Sequence, residues 1–364
     1  MIEDSIFPIL SLDRSLVRWS DYLDVLTPVE HIEGLWFKRD DKFAPLGYGG
    51  INGSKLRQCI YLINNYVNKT EQPIGLLSGA SVKSPQLAAC SVVGRHYGLS
   101  STLVIGATNP KSAMKHENVA IAAAMGAKFL ILKVGYNPVL QSKVRSMMKE
   151  PAYQDFYHLE YGISISSEQH TAEEIEAFHR LGAQQVANMP PEVTTLIIPA
   201  GSCNTAVSIL YGIALHTPEN LLDVYLIGVG PEKLDFIDHR LSLIESVTGK
   251  PIRSLFLRNY VHHLEKGEEQ NRNSRISYPY YYLHHYDLHA TKYTSYGDEM
   301  KWTHGGLAFH PTYEGKVMRY VSENLPQLLN PKTCIWVVGS KPTMKAMLNR
   351  IPEFNYVPEE VSVL

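Results

Sequence analysis

Lys55 is placed where an uncharged amine would be favoured. It follows the glycine-rich segment 49–54 and leads into the apolar run 56–62, which is typical of a helix. Ser54 is the predicted N-cap, so Lys55 would lie in the first helical turn. The positive partial charge there disfavours a cation, and a neutral amine can attack a carbonyl to form a Schiff base. Lys55 is therefore a candidate nucleophile, although a lysine after glycines is more often a solvated loop residue.

Two other segments have the composition of anion sites. Segments 78–84 (SGASVKS) and 199–205 (PAGSCNT) each connect an apolar strand to an apolar helix. Small residues in such a connection present backbone N–H groups and hydroxyls at a helix N-terminus, which suits an anion. An ordinary tight turn would explain either segment taken alone. A third segment, 311–316 (PTYEGK), puts a tyrosine and a carboxylate before a predicted helix, where Glu is also simply favourable capping.

The elements that must position these residues alternate between short apolar strands and amphipathic helices. This alternation predicts parallel sheets covered by helices, the α/β class, and 364 residues are enough for two domains. Strands are predicted at 35–38, 74–77, 101–105, 128–133, 194–199 and 224–229, and helices at 55–68, 85–97, 112–125 and 205–215.

Composition narrows the functional class. A net charge of −2 argues against a broad nucleic-acid footprint. The four cysteines are scattered without a CxxC pair, so no metal site is expected, and Cys90 and Cys334 lie in apolar runs that favour buried free thiols. The N-terminal segment lacks a signal-peptide pattern, and no apolar run reaches the roughly 18 residues of a membrane helix. A cytoplasmic protein that does not enter a membrane is therefore expected.

The stretch 252–302 is crowded with Tyr, His, Arg and Lys and shows neither helical nor strand periodicity over its whole length. Tyrosines interleaved with basic residues could stack on bases and contact phosphates. A tyrosine-rich cover on a domain, or a dimer interface, is the favoured interpretation, since Tyr is common in interfaces. Nucleic acid is thus an alternative partner and not the favoured one.

Together, the motifs FKRDD, GG…KLR…YL, SGAS…SPQLAA, AGSCNTA, SYG and HPTYEGK resemble the fold-type II pyridoxal-phosphate (PLP) enzymes, the tryptophan synthase β-like superfamily. Within this superfamily, the sequence resembles the branch that contains 1-aminocyclopropane-1-carboxylate deaminase and D-cysteine desulfhydrase. The resemblance covers about residues 35–341. It implies PLP bound in a cleft between two parallel-sheet domains, and a homodimer. The implied large domain comprises residues 1–49 and 161–364, and the small domain, 50–160, is nested within it.

The resemblance also implies roles for single residues. Lys55 would hold PLP covalently and later act as general acid or base, with Tyr313 and Tyr296 as active-site tyrosines. Glu314 would lie at the pyridine nitrogen, as in the deaminase, and Val338 is apolar as in that enzyme. The implied phosphate loop is Gly201, Ser202, Cys203, Asn204 and Thr205, and the implied substrate-binding residues are Ser81, Lys83, Ser84 and Gln86.

The sequence departs from the family at the substrate segment. Val82 stands where the family has an asparagine that binds the cofactor hydroxyl and the substrate carboxylate. Lys83 could supply a cation instead, although a solvated lysine is the slightly favoured interpretation. The family GGN is stretched into the segment 50–54. These departures predict a rebuilt substrate pocket.

The leading functional hypothesis is a PLP-dependent lyase or deaminase that breaks a bond at the α- or β-carbon of a small amino acid. The first alternative is a PLP-dependent decarboxylase or eliminase whose amino-acid group is attached to a larger molecule, such as a modified DNA base. The second alternative is a catalytically silent binding protein that keeps the fold.

Overall fold

The computed structural model of the protein describes residues 5–230, 233–260, 281–295, 297–349, 351 and 361–364, with the backbone alone at 258–260. Its strands are β1 (Val29–Ile32), β2 (Leu35–Arg39), β3 (Gly75–Gly79), β4 (Ser100–Gly106), β5 (Lys128–Leu132), β6 (Tyr157–Leu159), β7 (Thr195–Ala200), β8 (Asp223–Gly228), β9 (Phe256–Tyr260), β10 (Tyr281–Asp287), β11 (Thr303–His304), β12 (Leu307–Ala308), β13 (Thr333–Val337) and β14 (Ser362–Val363). Its α-helices are α1 (Ser54–Lys69), α2 (Pro85–His96), α3 (Pro110–Ala113), α4 (Glu117–Ala124), α5 (Asn137–Met147), α6 (Ala172–Gln184), α7 (Asn204–His216), α8 (Leu234–Thr248), α9 (Glu314–Asn324) and α10 (Met344–Leu348).

The chain divides into two compact units, and neither is continuous in sequence. Unit 1 comprises Met1–Val25, Asp40–Ser166 and Gly339–Leu364, and unit 2 comprises Leu26–Arg39 and Ser167–Val338. The predicted nested segment 50–160 lies within unit 1. That unit also takes in the two ends of the chain, which the sequence analysis assigned to the large domain. The domain boundaries given there stay a prediction.

Unit 1 is built on a parallel sheet with the strand order β14-β5-β4-β3-β6. All five residues of β3 are buried, as expected of a strand that helices cover on both faces. Leu77 and Val104 of this sheet form one hydrophobic cluster with Leu140 and Val144 of α5. All of its strands run in the same direction, so the connections that follow β3, β4 and β5 emerge at one edge, the carboxyl edge.

Unit 2 is built on a seven-stranded sheet with the order β1-β2-β13-β7-β8-β10-β9, parallel except for the pair β1 and β2. Successive residues of β13 point to opposite faces of this sheet. Accordingly, Trp336 belongs to a core shared with α7 and α8, whereas Ile335 belongs to a second core shared with α9. The sheet is therefore covered by helices on both faces.

The α/β class is confirmed, and most predicted elements are found within a residue or two of their expected ends. The single helix predicted at 112–125 is wrong. Asn109 caps α3 through a capping box with Ser112, and His116 then has extended backbone torsions before α4 begins. Within the aromatic stretch 252–302, β9 and β10 form parallel strands, which the sequence analysis did not predict.

In the part of the chain that the structure describes, no helix is both long and apolar enough to cross a membrane. All four cysteines are buried and free, which confirms the prediction for Cys90 and Cys334 and extends it to Cys59 and Cys203. Burial raises the pKa of the Cys90 and Cys334 thiols to about 12. These thiols are thus kept protonated and unreactive.

Three histidines, the buried His96 and His179 and the half-buried His158, predict a loss of stability in acid. Burial lowers the pKa of His96 and His158 to about 4 and that of His179 to about 3. The unfolded chain binds protons at these side chains below about pH 6.5, whereas the folded chain does not. The free energy of unfolding should thus be fully retained above that pH. It should fall by about 1.4 kcal/mol per pH unit for each histidine as the pH drops toward 4.

Urea unfolding at about pH 7 and about pH 5 measures this dependence. His179 pairs with the Ser208 hydroxyl through Nδ1 at 2.9 Å, and the amide of a His179→Gln variant could keep that contact. The variant should show a shallower pH dependence than the wild type because it lacks one of the titrating groups. Equal unfolding free energies of the wild-type protein at the two pH values would contradict the prediction.

Candidate active site

Lys55 is the second residue of α1 and is half-buried. The helix is preceded by Gly53, which is the N-cap and has φ of 89°. An L side chain is disfavoured at that torsion angle, so glycine suits the position. Ser54 as N-cap is therefore wrong, and its hydroxyl instead donates to Asp40 Oδ2 at 2.6 Å. The placement of Lys55 in the first helical turn is confirmed.

Asp40 organises the start of this helix. Besides the Ser54 hydroxyl, it accepts a hydrogen bond from Arg57 Nη1, 3.4 Å from Oδ1, and both charged side chains are buried. The Arg57 guanidinium lies over the ring of Phe43 at 4.4 Å. Burial lowers the pKa of Arg57, and the charge of Asp40 partly offsets that effect. Asp40 belongs to the KRDD motif, so charged residues at the end of an apolar strand were the sequence signal for this cluster.

The stretched glycine segment is held by Asn52, which the sequence analysis did not select. Its Nδ2 donates to the Gly50 carbonyl at 2.7 Å and to Ser340 Oγ at 2.9 Å. The backbone N–H of Ser340 in turn donates to Asn52 Oδ1 at 2.7 Å. A Cβ atom at Gly339 would come within 3.3 Å of the same oxygen. The loop before Lys55 is therefore fixed by a reciprocal pair of hydrogen bonds.

Gln86 makes hydrogen bonds with both ends of its side-chain amide. Nε2 donates to Ser78 Oγ at 2.8 Å and to the Glu160 carbonyl at 2.9 Å, and Oε1 accepts from the Gly162 N–H at 2.8 Å. These bonds hold the segment that follows β6. Ser84 is the N-cap of α2 and accepts from the Gln86 N–H at 3.3 Å. Both residues position the segment 78–86, and their contact with a substrate stays a prediction.

Ser81 and Lys83 lie in the turn between β3 and α2 and are half-buried. The Lys83 N–H donates to Ser81 Oγ at 3.4 Å, and the Lys83 carbonyl accepts from Asn118 Nδ2 at 3.0 Å. The backbone of this turn is thus fixed from both sides.

The predicted phosphate loop lies between β7 and α7. Asn204 is the first residue of α7 and is buried, whereas Gly201, Ser202 and Thr205 are half-buried. Cys203, the N-cap, has φ of 68°, a left-handed conformation that costs an L-residue roughly 1–2 kcal/mol. Backbone strain of this kind is concentrated at ligand sites. The first N–H groups of α7 have no acceptor within the helix, so they suit an anion.

Tyr313 and Gly201 lie side by side. A Cβ atom built at Gly201 would be 3.2 Å from Tyr313 Cε1, a contact closer than most real ones. Tyr313 is buried and precedes α9, and the centroid of its ring is 4.9 Å from that of His310. The structure therefore brings the tyrosine of HPTYEGK to the phosphate loop.

The contact between Gly201 and Tyr313 predicts that Gly201→Ala weakens cofactor binding. The added methyl group must displace the Tyr313 ring or occupy the space above the loop. An approximately tenfold increase in the PLP dissociation constant is expected, equivalent to about 1.4 kcal/mol. Titration of PLP into the apoprotein, followed by absorbance, measures it. Gly135→Ala is the matched control because the nearest atom to its Cβ would be 3.9 Å away. Unchanged affinity in Gly201→Ala would contradict the prediction.

Glu314 and Val338 also lie together. Glu314 is fully buried at the start of α9, and its Oε1 accepts a hydrogen bond from the Val338 N–H at 2.8 Å. A carboxylate is favoured at a helix N-terminus, where the positive end of the helix dipole lies. A buried carboxylate keeps a neighbouring ring nitrogen protonated, because an opposite charge favours the charged form.

The SYG motif is tied to HPTYEGK by Lys316. Its Nζ is fully buried and donates to the Ser295 carbonyl at 2.6 Å. The Ser295 N–H donates to Asp298 Oδ2 at 2.7 Å, and this bond is the main reason why the pKa of Asp298 is lowered. Tyr296 itself lies outside the described residues. Lys316 was not selected from the sequence, and its position two residues after Glu314 was the available signal.

Each unit by itself contains groups of the kind that the implied pyridine phosphate needs. Unit 2 contains a loop of small residues at a helix N-terminus, which suits a phosphate, and a buried carboxylate, which suits a protonated ring nitrogen. Unit 1 contains a lysine in a first helical turn, which suits an aldehyde.

The fold is similar to that of solved enzymes. A crystal structure of an ACC deaminase homologue matches with a TM-score of 0.62 and 14% sequence identity over 94% of this chain and 95% of its own. Diaminopropionate ammonia lyase of Escherichia coli matches with a TM-score of 0.52 and 10% identity over 96% of this chain and 93% of its own. Identities this low show the fold alone. No protein-family model matches the chain.

A sequence relative decides the family. The O-seryl-dTMP PLP-dependent decarboxylase of Salmonella phage ViI is 40% identical over 391 residues, which cover 99% of this chain and 92% of that protein. The chain belongs to the fold-type II PLP-dependent enzymes. The predicted family and the predicted PLP cofactor are thereby confirmed. The roles that the resemblance gives to single residues of this PLP enzyme stay predictions.

Proposed function

We propose that the protein is a PLP-dependent decarboxylase whose substrate is an amino acid attached through its side chain to a pyrimidine nucleotide. The observation that carries this proposal is the 40% identity over 99% of the chain to an O-seryl-dTMP decarboxylase. This function corresponds to the first alternative of the sequence analysis. The leading hypothesis, a lyase or deaminase of a small amino acid, has weaker support because its relatives match in fold alone.

The departures at the substrate segment agree with a different substrate. Val82 replaces the asparagine that binds a small amino acid in the family, and the neighbouring Lys83 introduces a cation. A nucleotide brings a phosphate that the family substrates lack. A rebuilt pocket beside β3 is therefore what a larger, anionic substrate would require.

Each part of the proposed site has a chemical task. When bound, PLP would supply an electron sink for the pair left on the α-carbon as CO₂ departs. The loop 201–205 would hold the cofactor phosphate through N–H groups of α7, and Glu314 would keep a proton at the pyridine nitrogen. Lys55 would hold the cofactor aldehyde, and its Nζ would deliver a proton to the α-carbon. Tyr313, packed beside Gly201, would orient the cofactor.

The expected reaction replaces the carboxylate by a proton. For a serine joined through its side-chain oxygen, the α-carbon loses CO₂ and gains one proton, and the product carries a 2-aminoethoxy group with a primary amine. The nucleotide and the ether oxygen are unchanged.

Incubation of the holoenzyme with O-seryl-thymidine monophosphate tests the proposal. Mass spectrometry should show the loss of one CO₂ from the nucleotide, and free serine should give no product under the same conditions. Release of ammonia and pyruvate from free amino acids, with the nucleotide intact, would support the leading hypothesis instead. A homodimer and a cytoplasmic location stay predictions that the resemblance and the composition make.

A further inference from the structure

The carboxyl edge of the unit 1 sheet has an unusual charge pattern. The carboxyl-edge surface consists of residues 80–84, 107–116 and 133–136, the connections that follow β3, β4 and β5. It contains no Asp or Glu. Its basic residues are Lys83, Lys111, Lys115, His116 and Lys133.

The three connections lie side by side. β3, β4 and β5 are neighbours in the sheet, so the connections that follow them emerge next to one another. The Ala107 N–H donates to the Leu132 carbonyl of β5 at 2.9 Å, and the Ala80 N–H donates to the Val104 carbonyl of β4 at 3.2 Å. A Cβ atom at Gly106 would overlap the backbone of Gly135, so the end of β4 lies against the connection that follows β5. The basic residues thus follow three adjacent strands.

The carboxylates that border this surface are already engaged. Glu117, the first residue of α4, accepts from the Met344 N–H at 2.8 Å through Oε2. Glu160, which follows β6, accepts a hydrogen bond from the Ser166 hydroxyl. Lys111, Lys115 and Lys133 are exposed. The surface is therefore positively charged as well as free of acids.

An aromatic ring stands out from the same surface. Tyr136 is 74% exposed, and the neighbouring Val134 and Val139 are each 42% exposed. Tyr136 is the N-cap of α5 but makes no side-chain capping bond. Contiguous exposed apolar residues commonly mark an interaction site. A solvent-exposed tyrosine beside lysines is the combination that binds single-stranded nucleic acid, through stacking and phosphate contacts.

We infer that the carboxyl-edge surface binds the DNA strand that carries the modified base. This inference rests on the proposed function. It concerns the DNA around the modified base, which is the part of the substrate that the catalytic residues do not contact. Neighbouring strands are about 4.8 Å apart, so the connections after β3, β4 and β5 span about 10 Å. Basic residues on all three connections suit a polyanion with several phosphates rather than a mononucleotide with one. Ligands bind at the carboxyl edge of parallel sheets, where Ser81 and Lys83 also lie.

Binding of a labelled oligothymidylate of about twelve nucleotides to the holoenzyme tests the inference by fluorescence anisotropy. Tyr136→Ala should weaken binding about tenfold, the loss expected for one stacked base. The double variant Lys111→Gln/Lys133→Gln should lower the slope of log affinity against log salt by about 1.4, because each phosphate contact on a single strand contributes about 0.7.

Matched controls lie at the opposite edge of the same sheet. Lys128 begins β5, Lys149 follows α5, and both are exposed, so Lys128→Gln/Lys149→Gln removes the same charge and should leave the slope unchanged. Tyr282→Ala removes an exposed tyrosine of the aromatic stretch and should bind as the wild type does.

Four outcomes would overturn the inference. The first is that the wild type binds no oligonucleotide at low salt. The second is that the two lysine double variants lower the salt slope equally. The third is that Tyr282→Ala weakens binding while Tyr136→Ala does not. The fourth is a change of oligomeric state in Tyr136→Ala with unchanged binding, which would make the surface an interface between copies of the chain.

Turnover of O-seryl-thymidine monophosphate separates this inference from the proposed function. CO₂ release from the mononucleotide without the expected binding effects would overturn the inference that this surface binds DNA, and the proposed function would stand. The expected binding effects without CO₂ release, from either the mononucleotide or an oligothymidylate that carries one O-seryl-thymidine, would overturn the proposed function and leave the surface as a DNA-binding site.

Discussion

The Lys55→Ala variant should neither bind PLP covalently nor turn over substrate at a measurable rate. Lys55 is in the first turn of α1, and Gly53, Asp40 and Asn52 fix the backbone around it. Loss of its amine removes both the covalent link and a proton donor. Loss of a positioned acid or base alone costs about 10²–10⁴-fold in rate. The visible absorbance band of lysine-bound PLP should be absent, and borohydride reduction should leave no pyridoxyl group on the peptide.

The control for this variant lies on the same helix. Lys69 is exposed at the C-terminal end of α1, so Lys69→Ala removes a lysine from the same element and should keep the absorbance band and the rate. A pyridoxyl adduct on Lys83 or Lys316 in the wild-type protein would show that the cofactor lysine has been assigned incorrectly.

The Glu314→Gln variant should keep covalently bound PLP but react about 10²–10³-fold more slowly, the loss typical of one positioned electrostatic group. Glutamine keeps an oxygen that can accept the Val338 N–H, so the local fold should be retained. Glutamine lacks the negative charge that, by this proposal, would hold a proton on the pyridine nitrogen. Single-turnover measurement of CO₂ release, together with the absorbance band, separates slower chemistry from lost cofactor.

Glu323→Gln makes the same chemical change on the exposed side of α9. Glu323 accepts hydrogen bonds from Arg319 Nε at 2.9 Å and from the Tyr293 hydroxyl at 2.6 Å, so its loss should affect the surface and not the rate. A wild-type rate in Glu314→Gln would remove this carboxylate from the mechanism. A large loss in Glu323→Gln would show that the effect comes from helix stability.

Much of the fold could be predicted because the local sequence patterns agree with the burial and the helix starts that the structure shows. β3 is apolar and bounded by glycines, and it is buried throughout. Ser84 before Pro85 is a helix start by composition and is one in the structure. The glycine-rich loop before Lys55 and the loop 201–205 could be located for a similar reason, because small residues between apolar runs favour a tight connection.

Other features depend on contacts between distant residues, which a sequence pattern does not contain. Ser54 has the side chain of an N-cap but bonds to Asp40, fourteen residues earlier. β10 lacks clean alternation because His284 is half-buried, with a hydrogen bond to Asp223 at 2.9 Å and its ring stacked on that of Tyr225. Gln86 resembles a ligand-binding residue in sequence, yet its amide bonds to the segment after β6.

The interleaving of the two units along the chain has a consequence for biosynthesis. Every segment of unit 2 has been translated by Val338, whereas unit 1 still lacks Ser340, which pairs with Asn52, and the N–H of Met344, which binds Glu117. The edge strand β14, beside β5, emerges later still. Domains generally fold as units during synthesis. On the ribosome, the unit that holds the loop 201–205 should thus mature before the unit that holds Lys55, so a nascent chain would form the predicted anion site before the predicted cofactor lysine is fixed in place.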